Sequence, residues 1–196
     1  MKTILSLFDY TGNWSRPYRE AGYNVVQVDI KLGVDIMTFD YNAIGPVHGI
    51  LAAVPCTDFA NAGARWFKAK DADGRIAFSC ALVNKTMEIV EALKPEWWVI
   101  ENPQSRIHKL NPDVGEIKHK FNPCDYAGYD PEPEKSRYNK KTWLFGKFQT
   151  PQLNRIEPLE KEYPGWKKLG GKSERTKELR SVTPLGFAYA FYKANH

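Results

Sequence analysis

The feature that most constrains this chain is the alternation of strand and helix signals through its first half. Residues Thr3 to Phe8 are β-prone, and a loop from Asp9 to Trp14 leads into a short predicted helix from about Ser15. That helix carries Pro17 in its first turn and Gly22 at its end, the order in which these two residues punctuate helices. A second strand is predicted over Asn24 to Asp29, and a third over Val47 to Ala53. From Arg75 the residues Ile76, Cys80, Val83, Met87 and Val90 step by four and three, lining one face of a long amphipathic helix. That helix stops before Lys94-Pro95, and a fourth apolar strand, Trp97 to Ile100, runs up to Glu101-Asn102-Pro103. Strands joined by helices make parallel pairs, because a parallel pair needs a crossover connection. The expected fold is therefore α/β and Rossmann-like, a mostly parallel sheet with helices on both faces. Ligands in such sheets sit at the carboxyl ends of the strands. The loops after Phe8, Asp29, Ala53 and Ile100 should meet there.

The second half is less regular. Residues 111–141 are rich in Pro, Gly, Tyr and charge and read as a long ordered loop or lid. A further strand is predicted over Thr142 to Phe148 and a closing helix over Pro184 to Lys193, with Ser181 or Thr183 as its cap. At 196 residues with 42% hydrophobic side chains, the chain suits one compact domain over 1–196. Its net charge of +5 fits a phosphate-bearing partner without requiring one. Cys56, Cys80 and Cys124 lie far apart, so the spacing suggests neither a disulfide framework nor a metal site. The first residues, MKTILSLFDY, lack a long hydrophobic region and a cleavage site, and no stretch approaches the length of a membrane span. A cytoplasmic protein is the expectation.

Four constellations carry possible chemistry. The first is a nucleotide-type cofactor site, formed by a strand, a loop with Gly12, a helix and a second strand ending in Asp29, whose acid can grip ribose hydroxyls. The full GxGxxG pattern is absent, and a single-glycine loop suits S-adenosylmethionine, which has no phosphate to cradle. An ordinary packing turn with a solvated Asp29 is the bland alternative. The second is Pro55-Cys56, which places a sulfur on a rigid backbone at the end of a buried strand. Taken alone, a cysteine such as Cys56 is more often a small buried hydrophobe. The third is Glu101, a carboxylate ending an apolar strand; partial desolvation would raise its pKa and let it hold a proton for a ring nitrogen, and a helix-cap or turn residue is the equal alternative. The fourth is the basic and aromatic stretch Arg137, Tyr138, Lys140 and Lys141, able to bind phosphate and stack on bases, or simply to form a solvated face.

Taken in order, these pieces resemble the cytosine-5 DNA methyltransferases. Phe8-Asp9-Tyr10-Thr11-Gly12 resembles that family's opening cofactor motif, Asp29 with Ile30 its acid after the second strand, and Val34-Asp35-Ile36 its next acidic motif, which meets the adenine. Val54-Pro55-Cys56-Thr57-Asp58-Phe59 resembles the nucleophile loop, and Glu101-Asn102-Pro103 the Glu-Asn-Val motif. The resemblance covers residues 3–105 well. It implies an S-adenosylmethionine-dependent enzyme in which the Cys56 thiolate adds to carbon 6 of cytosine, Glu101 binds ring nitrogen 3, and carbon 5 takes the methyl group. Phe8, Asp9, Thr11, Gly12, Asp29, Ile30, Asp35, Ile36 and Pro55 would bind the cofactor, and DNA or a pyrimidine nucleotide would be the substrate. The chain departs from the family in Val54, in Pro103 and in lacking the Gln-x-Arg-x-Arg strand, for which Arg137 is the candidate substitute. Members with a target-recognition domain are much longer, so the expected type is a short, phage-like member without one. Amino-group methylation is disfavoured by the cysteine in the loop. A catalytically reduced cofactor- or nucleic-acid-binding protein is the remaining alternative.

Overall fold

The computed structural model describes residues 1–159 and 180–196. Strands β1 (Thr3–Leu7), β2 (Asn24–Val28), β3 (Gly49–Ala52) and β4 (Trp97–Pro103) pair in parallel in the order β2-β1-β3-β4. Strand β6 (Thr142–Lys147) runs antiparallel beside β4, and the short β5 (His119–Phe121) closes that edge, antiparallel to β6. The sheet is thus mostly parallel, as expected. Because β1 has β2 on one side and β3 on the other, the chain reverses its winding there, and a crevice opens between the carboxyl ends of β1 and β3.

Helices cover both faces. All five residues of β1 are buried, as a strand sandwiched between helix layers requires. On one face Leu5, Leu7, Ile50, Ile100 and Phe145 pack against Val83, Met87, Ile89 and Val90 of helix α3 (Arg75–Leu93). On the other, Ile4, Leu51, Val99 and Leu144 meet aromatic side chains from α1 (Arg16–Glu20) and α5 (Leu185–Ala194), including Tyr18, Phe187 and Phe191. The parity of the strands decides which layer each side chain joins. Short helices α2 (Phe67–Ala72) and α4 (Ile107–Leu110) follow the loops after β3 and β4. Cys80, expected in the core, is only partly buried, packed against the α3-side cluster with its sulfur accepting from Asn111 Nδ2.

Three expectations need revision. Residues 111–141 are built into the sheet edge: they supply β5 and a 3-10 stretch, Pro123–Tyr129, whose Cys124, Tyr126 and Ala127 are fully buried. Tyr126 meets Phe121 edge-on and Phe187 at a tilt, so this stretch is part of the aromatic layer. Strand β4 does not end at Ile100 but continues through Glu101, which pairs with Leu144 of β6. Neither Ser181 nor Thr183 caps α5; Pro184 occupies the N-cap without a side-chain bond. Of the polar stretch before it, Arg175 to Leu179 lie outside the described residues. No helix among the described residues is long and apolar enough to cross a membrane.

Candidate active site

The loop that leaves β3 is stitched to the segment that leaves β4. Phe59 and Ala60 donate their amides to the Cys56 carbonyl at 3.0 and 2.8 Å, closing a tight turn around the cysteine. Ala60 and Ser105 form an antiparallel bridge, Asn61 donates to the Gln104 carbonyl, and Arg106 donates to that of Phe59. Asn102, fully buried, donates its amide nitrogen to the Val54 carbonyl at 3.1 Å. Beneath the turn, Asp58 accepts from Ser79 at 2.8 Å and pairs with Lys70 at 3.1 Å, while the same ammonium binds the Thr57 carbonyl. Both partners of that ion pair are almost wholly buried, so each charge depends on the other. Arg106 clamps the assembly from outside, pairing with Asp71 at 2.6 Å and lying 3.7 Å from the Phe67 ring centroid.

Cys56 and Glu101 come together in this frame. Cys56 keeps part of its surface exposed, yet desolvation by the surrounding protein is the largest influence on its thiol and pushes it up. Lys140 opposes that shift, the Glu101 carboxylate adds to it, and Lys70 opposes it more weakly. Glu101 is likewise pushed up by burial and held back by Lys140. A small pocket lined by Glu101, Lys140, Thr142, Ser181, Thr183 and Phe187 opens beside the carboxylate. Such an arrangement, an acid inclined to keep its proton next to a thiol under positive charge, suits attack on a ring whose nitrogen needs protonation.

The cofactor-type residues occupy the neighbouring crevice. Asp9 is buried, with one carboxylate oxygen accepting from Ser6 Oγ at 2.9 Å, Ser15 Oγ at 2.8 Å and the Ser15 amide at 3.1 Å. It shapes the loop rather than facing a ligand with that oxygen. Phe8, just after β1, sits at φ 59°, and Gly12 at φ 67°, where an added Cβ would come within 3.1 to 3.4 Å of the Gln27 and Arg19 side chains. The positive φ is what favours glycine there, since the neighbouring side-chain tips could shift by a few tenths of an ångström. Thr11 is exposed and accepts from the Asn13 amide, and Asn13 in turn donates to the Thr183 carbonyl at 3.3 Å, joining this loop to the α5 approach. Asp29 ends β2 half-buried, accepting from the Lys31 amide at 2.9 Å. Ile30 beside it is 69% exposed. Asp35 is exposed and accepts from the Met37 amide, whereas Ile36 is buried and Pro55 exposed.

Arg137 is not among the groups gathered at Cys56. Its guanidinium pairs with Glu134 at 2.8 Å and donates to the Glu157 carbonyl at 2.9 Å. The cation beside Cys56 and Glu101 is Lys140, which in sequence was one of several basic residues in the fourth constellation. Asp58 and Asn102 lie within two motifs read from the sequence, which assigned them no part of their own; the structure gives each a bond that holds the turn, and it adds Lys70, which no motif signalled.

Comparison with known proteins agrees with this geometry. The model of the C-5 cytosine-specific DNA methylase family matches residues 2–152. Type II methyltransferase M.HgiGI of Herpetosiphon aurantiacus is 29% identical over 132 residues, an alignment covering 57% of this chain and 98% of that protein. A crystal structure described as a DNA modification methyltransferase encoded within an E. coli prophage superposes with a TM-score of 0.50 at 15% identity over 80% of this chain. That likeness concerns the fold, and the chain spans 53% of that structure's length.

Proposed function

The chain belongs to the C-5 cytosine-specific DNA methylase family, and on that premise we propose that it methylates carbon 5 of cytosine in DNA, with Cys56 as nucleophile and S-adenosylmethionine as methyl donor. The observation that carries this reading is the convergence of Cys56 and Glu101, from the ends of two adjacent parallel strands, beside a crevice of cofactor type. The donor set around that crevice fits the cofactor. Asp29 offers a carboxylate for a ribose diol, and Ile30 and Ile36 offer apolar surface for an adenine. Asp35 stands at the same edge for the adenine amino group, and Gly12 leaves room for close backbone approach. Phe8, Asp9, Thr11 and Pro55 frame the crevice.

Cys56 forms a bond from Sγ to carbon 6 of the ring as Glu101 delivers its proton to, or shares it with, nitrogen 3; this leaves an enamine nucleophilic at carbon 5. S-adenosylmethionine, when bound, supplies the electrophilic methyl group taken up there. Transfer of the carbon 5 proton to water then expels the Cys56 thiolate from carbon 6, and nitrogen 3 returns its proton to Glu101, which restores both side chains. Because a stacked base is out of reach of a thiol at the floor of a turn, the target must be unstacked or single-stranded. The test uses DNA containing 5-fluorocytosine, in which the carbon 5 fluorine cannot leave as a proton does. With S-adenosylmethionine present, intact mass is expected to show a protein–DNA adduct that Cys56→Ser abolishes along with turnover. Methyl transfer that survives Cys56→Ser, or that goes to the amino group, would overturn the reading.

A further inference from the structure

We propose that Lys140 is a positioning residue for the nucleophile, its ammonium holding negative charge on Cys56 and standing in the place for which the sequence offered Arg137. This rests on the reading of Cys56 as nucleophile. The geometry begins with register: β6 lies antiparallel to β4, with Thr142 opposite Pro103 and Leu144 opposite Glu101. The pairing continues beyond the strands, since Gln104 donates its amide to the Lys141 carbonyl at 3.0 Å. On the other side of that same segment, Asn61 bonds Gln104 and Ala60 bridges Ser105, and Ala60 closes the turn on the Cys56 carbonyl. Residues 140 and 141 and the nucleophile turn therefore flank one strip of backbone. Lys140 also lines the pocket that Glu101 enters.

The ammonium is fixed rather than free-swinging. It donates to the Arg180 carbonyl at 2.9 Å, and the Lys140 carbonyl accepts from Thr142 Oγ1 at 2.9 Å, holding the backbone that carries it. One donor goes to that carbonyl, leaving two directed by the same anchor. The charged groups acting on Cys56 come from three elements: Glu101 from β4, Lys140 from the approach to β6, and Lys70 from α2. Glu101 opposes a thiolate. Lys70 is already committed to Asp58 and the Thr57 carbonyl. Arg137 is committed to Glu134 and the Glu157 carbonyl. Lys140 is the stronger of the two cations acting on the thiol and the one that also acts on the carboxylate. A fixed cation near both groups favours the ionised form of each; at the sulfur that eases formation of the thiolate, while at the carboxyl it works against burial, which is what favours the proton there.

The experiment reads the thiol itself. Carbamidomethylation of Cys56 by iodoacetamide is followed against pH by peptide mass mapping, with Cys80 and Cys124 as internal references. For Lys140→Gln the Cys56 midpoint is expected to rise by about one unit, which makes labelling at neutral pH about tenfold slower. Lys140→Arg is expected to keep the original midpoint, and Cys80 to behave alike in all three proteins. If the glutamine variant loosens the fold, seen as faster labelling of buried Cys124, Lys140→Met is measured in its place. An unmoved Cys56 midpoint in the neutral variant, or failure of Lys140→Arg to restore it, overturns the proposal. Since labelling needs no methyl transfer, the outcomes separate: an unmoved midpoint in an active enzyme removes the role of Lys140 alone. A shifted midpoint in an inactive protein leaves that role and removes the catalytic one.

Discussion

The turn that carries Cys56 and the edge that carries Asp29 and Asp35 both follow parallel strands and open on the same end of the sheet, yet they are built in opposite ways. Around Cys56 the bonds are long-range: Asn102 reaches Val54 and Arg106 reaches the Asp58 carbonyl across 48 positions of sequence. At the other edge the carboxylates of Asp29 and Asp35 bond amides only two residues away, and Ile30, Leu32 and Met37 stand exposed. A nucleophile has to be held within a fraction of an ångström of its target before the reaction starts, so its support is paid for in the folded protein. A cofactor edge can be completed by the cofactor. Its exposed apolar side chains are the surface that binding would cover.

The contrast breaks most visibly at Asp58. Asp58→Ala leaves the Lys70 ammonium buried without its carboxylate, and stability is expected to fall by about 3 kcal/mol or more, measured by urea denaturation. A loss under about 1 kcal/mol would mean that the turn is not held by this pair. A smaller, pH-dependent effect is expected at Glu101. Its folded pKa lies above the ordinary 4.5, so the folded state binds the proton more tightly than the unfolded one. Its favourable contribution is complete below that ordinary value and is lost as pH rises through the folded pKa. Glu101→Gln should therefore gain stability over wild type as pH rises from the acid side to neutrality, while losing methyl transfer; parallel unfolding curves at the two pH values would contradict this. The smallest stability change belongs to the cofactor edge. Ile30→Ser should alter unfolding by no more than about 0.5 kcal/mol. By calorimetry the same change should weaken S-adenosylmethionine binding about tenfold, as loss of one buried aliphatic side chain implies.

Legibility in the sequence followed the range of the interactions. Strands β1 to β4 and helices α1 and α3 were readable because periodicity and the Pro17, Gly22 and Pro95 signals are local. Cys56 and Glu101 were readable because each ends or nearly ends such a strand. The extension of β4 through Glu101 was not, since it depends on β6 arriving some 40 residues later to pair with it. Strand β5 has three residues, and the buried Cys124, Tyr126 and Ala127 lie in a 3-10 stretch between Pro123 and Tyr129, where no helical or strand period can show. Lys140 reads only as one member of a basic stretch, with nothing to set it apart from Arg137 and Lys141. Its place beside Glu101 arises from a register, and a register is a property of two segments.

The anchoring of Lys140 to the Arg180 carbonyl also orders events during synthesis. A ribosome releases the Cys56 turn first, then the β4 segment that clasps it, then the residues around 140, and only much later residue 180. Until then Lys140 lacks the carbonyl that anchors its ammonium. The nascent protein thus carries its cysteine turn and the strip of backbone that clasps it well before the carbonyl that tethers the neighbouring cation.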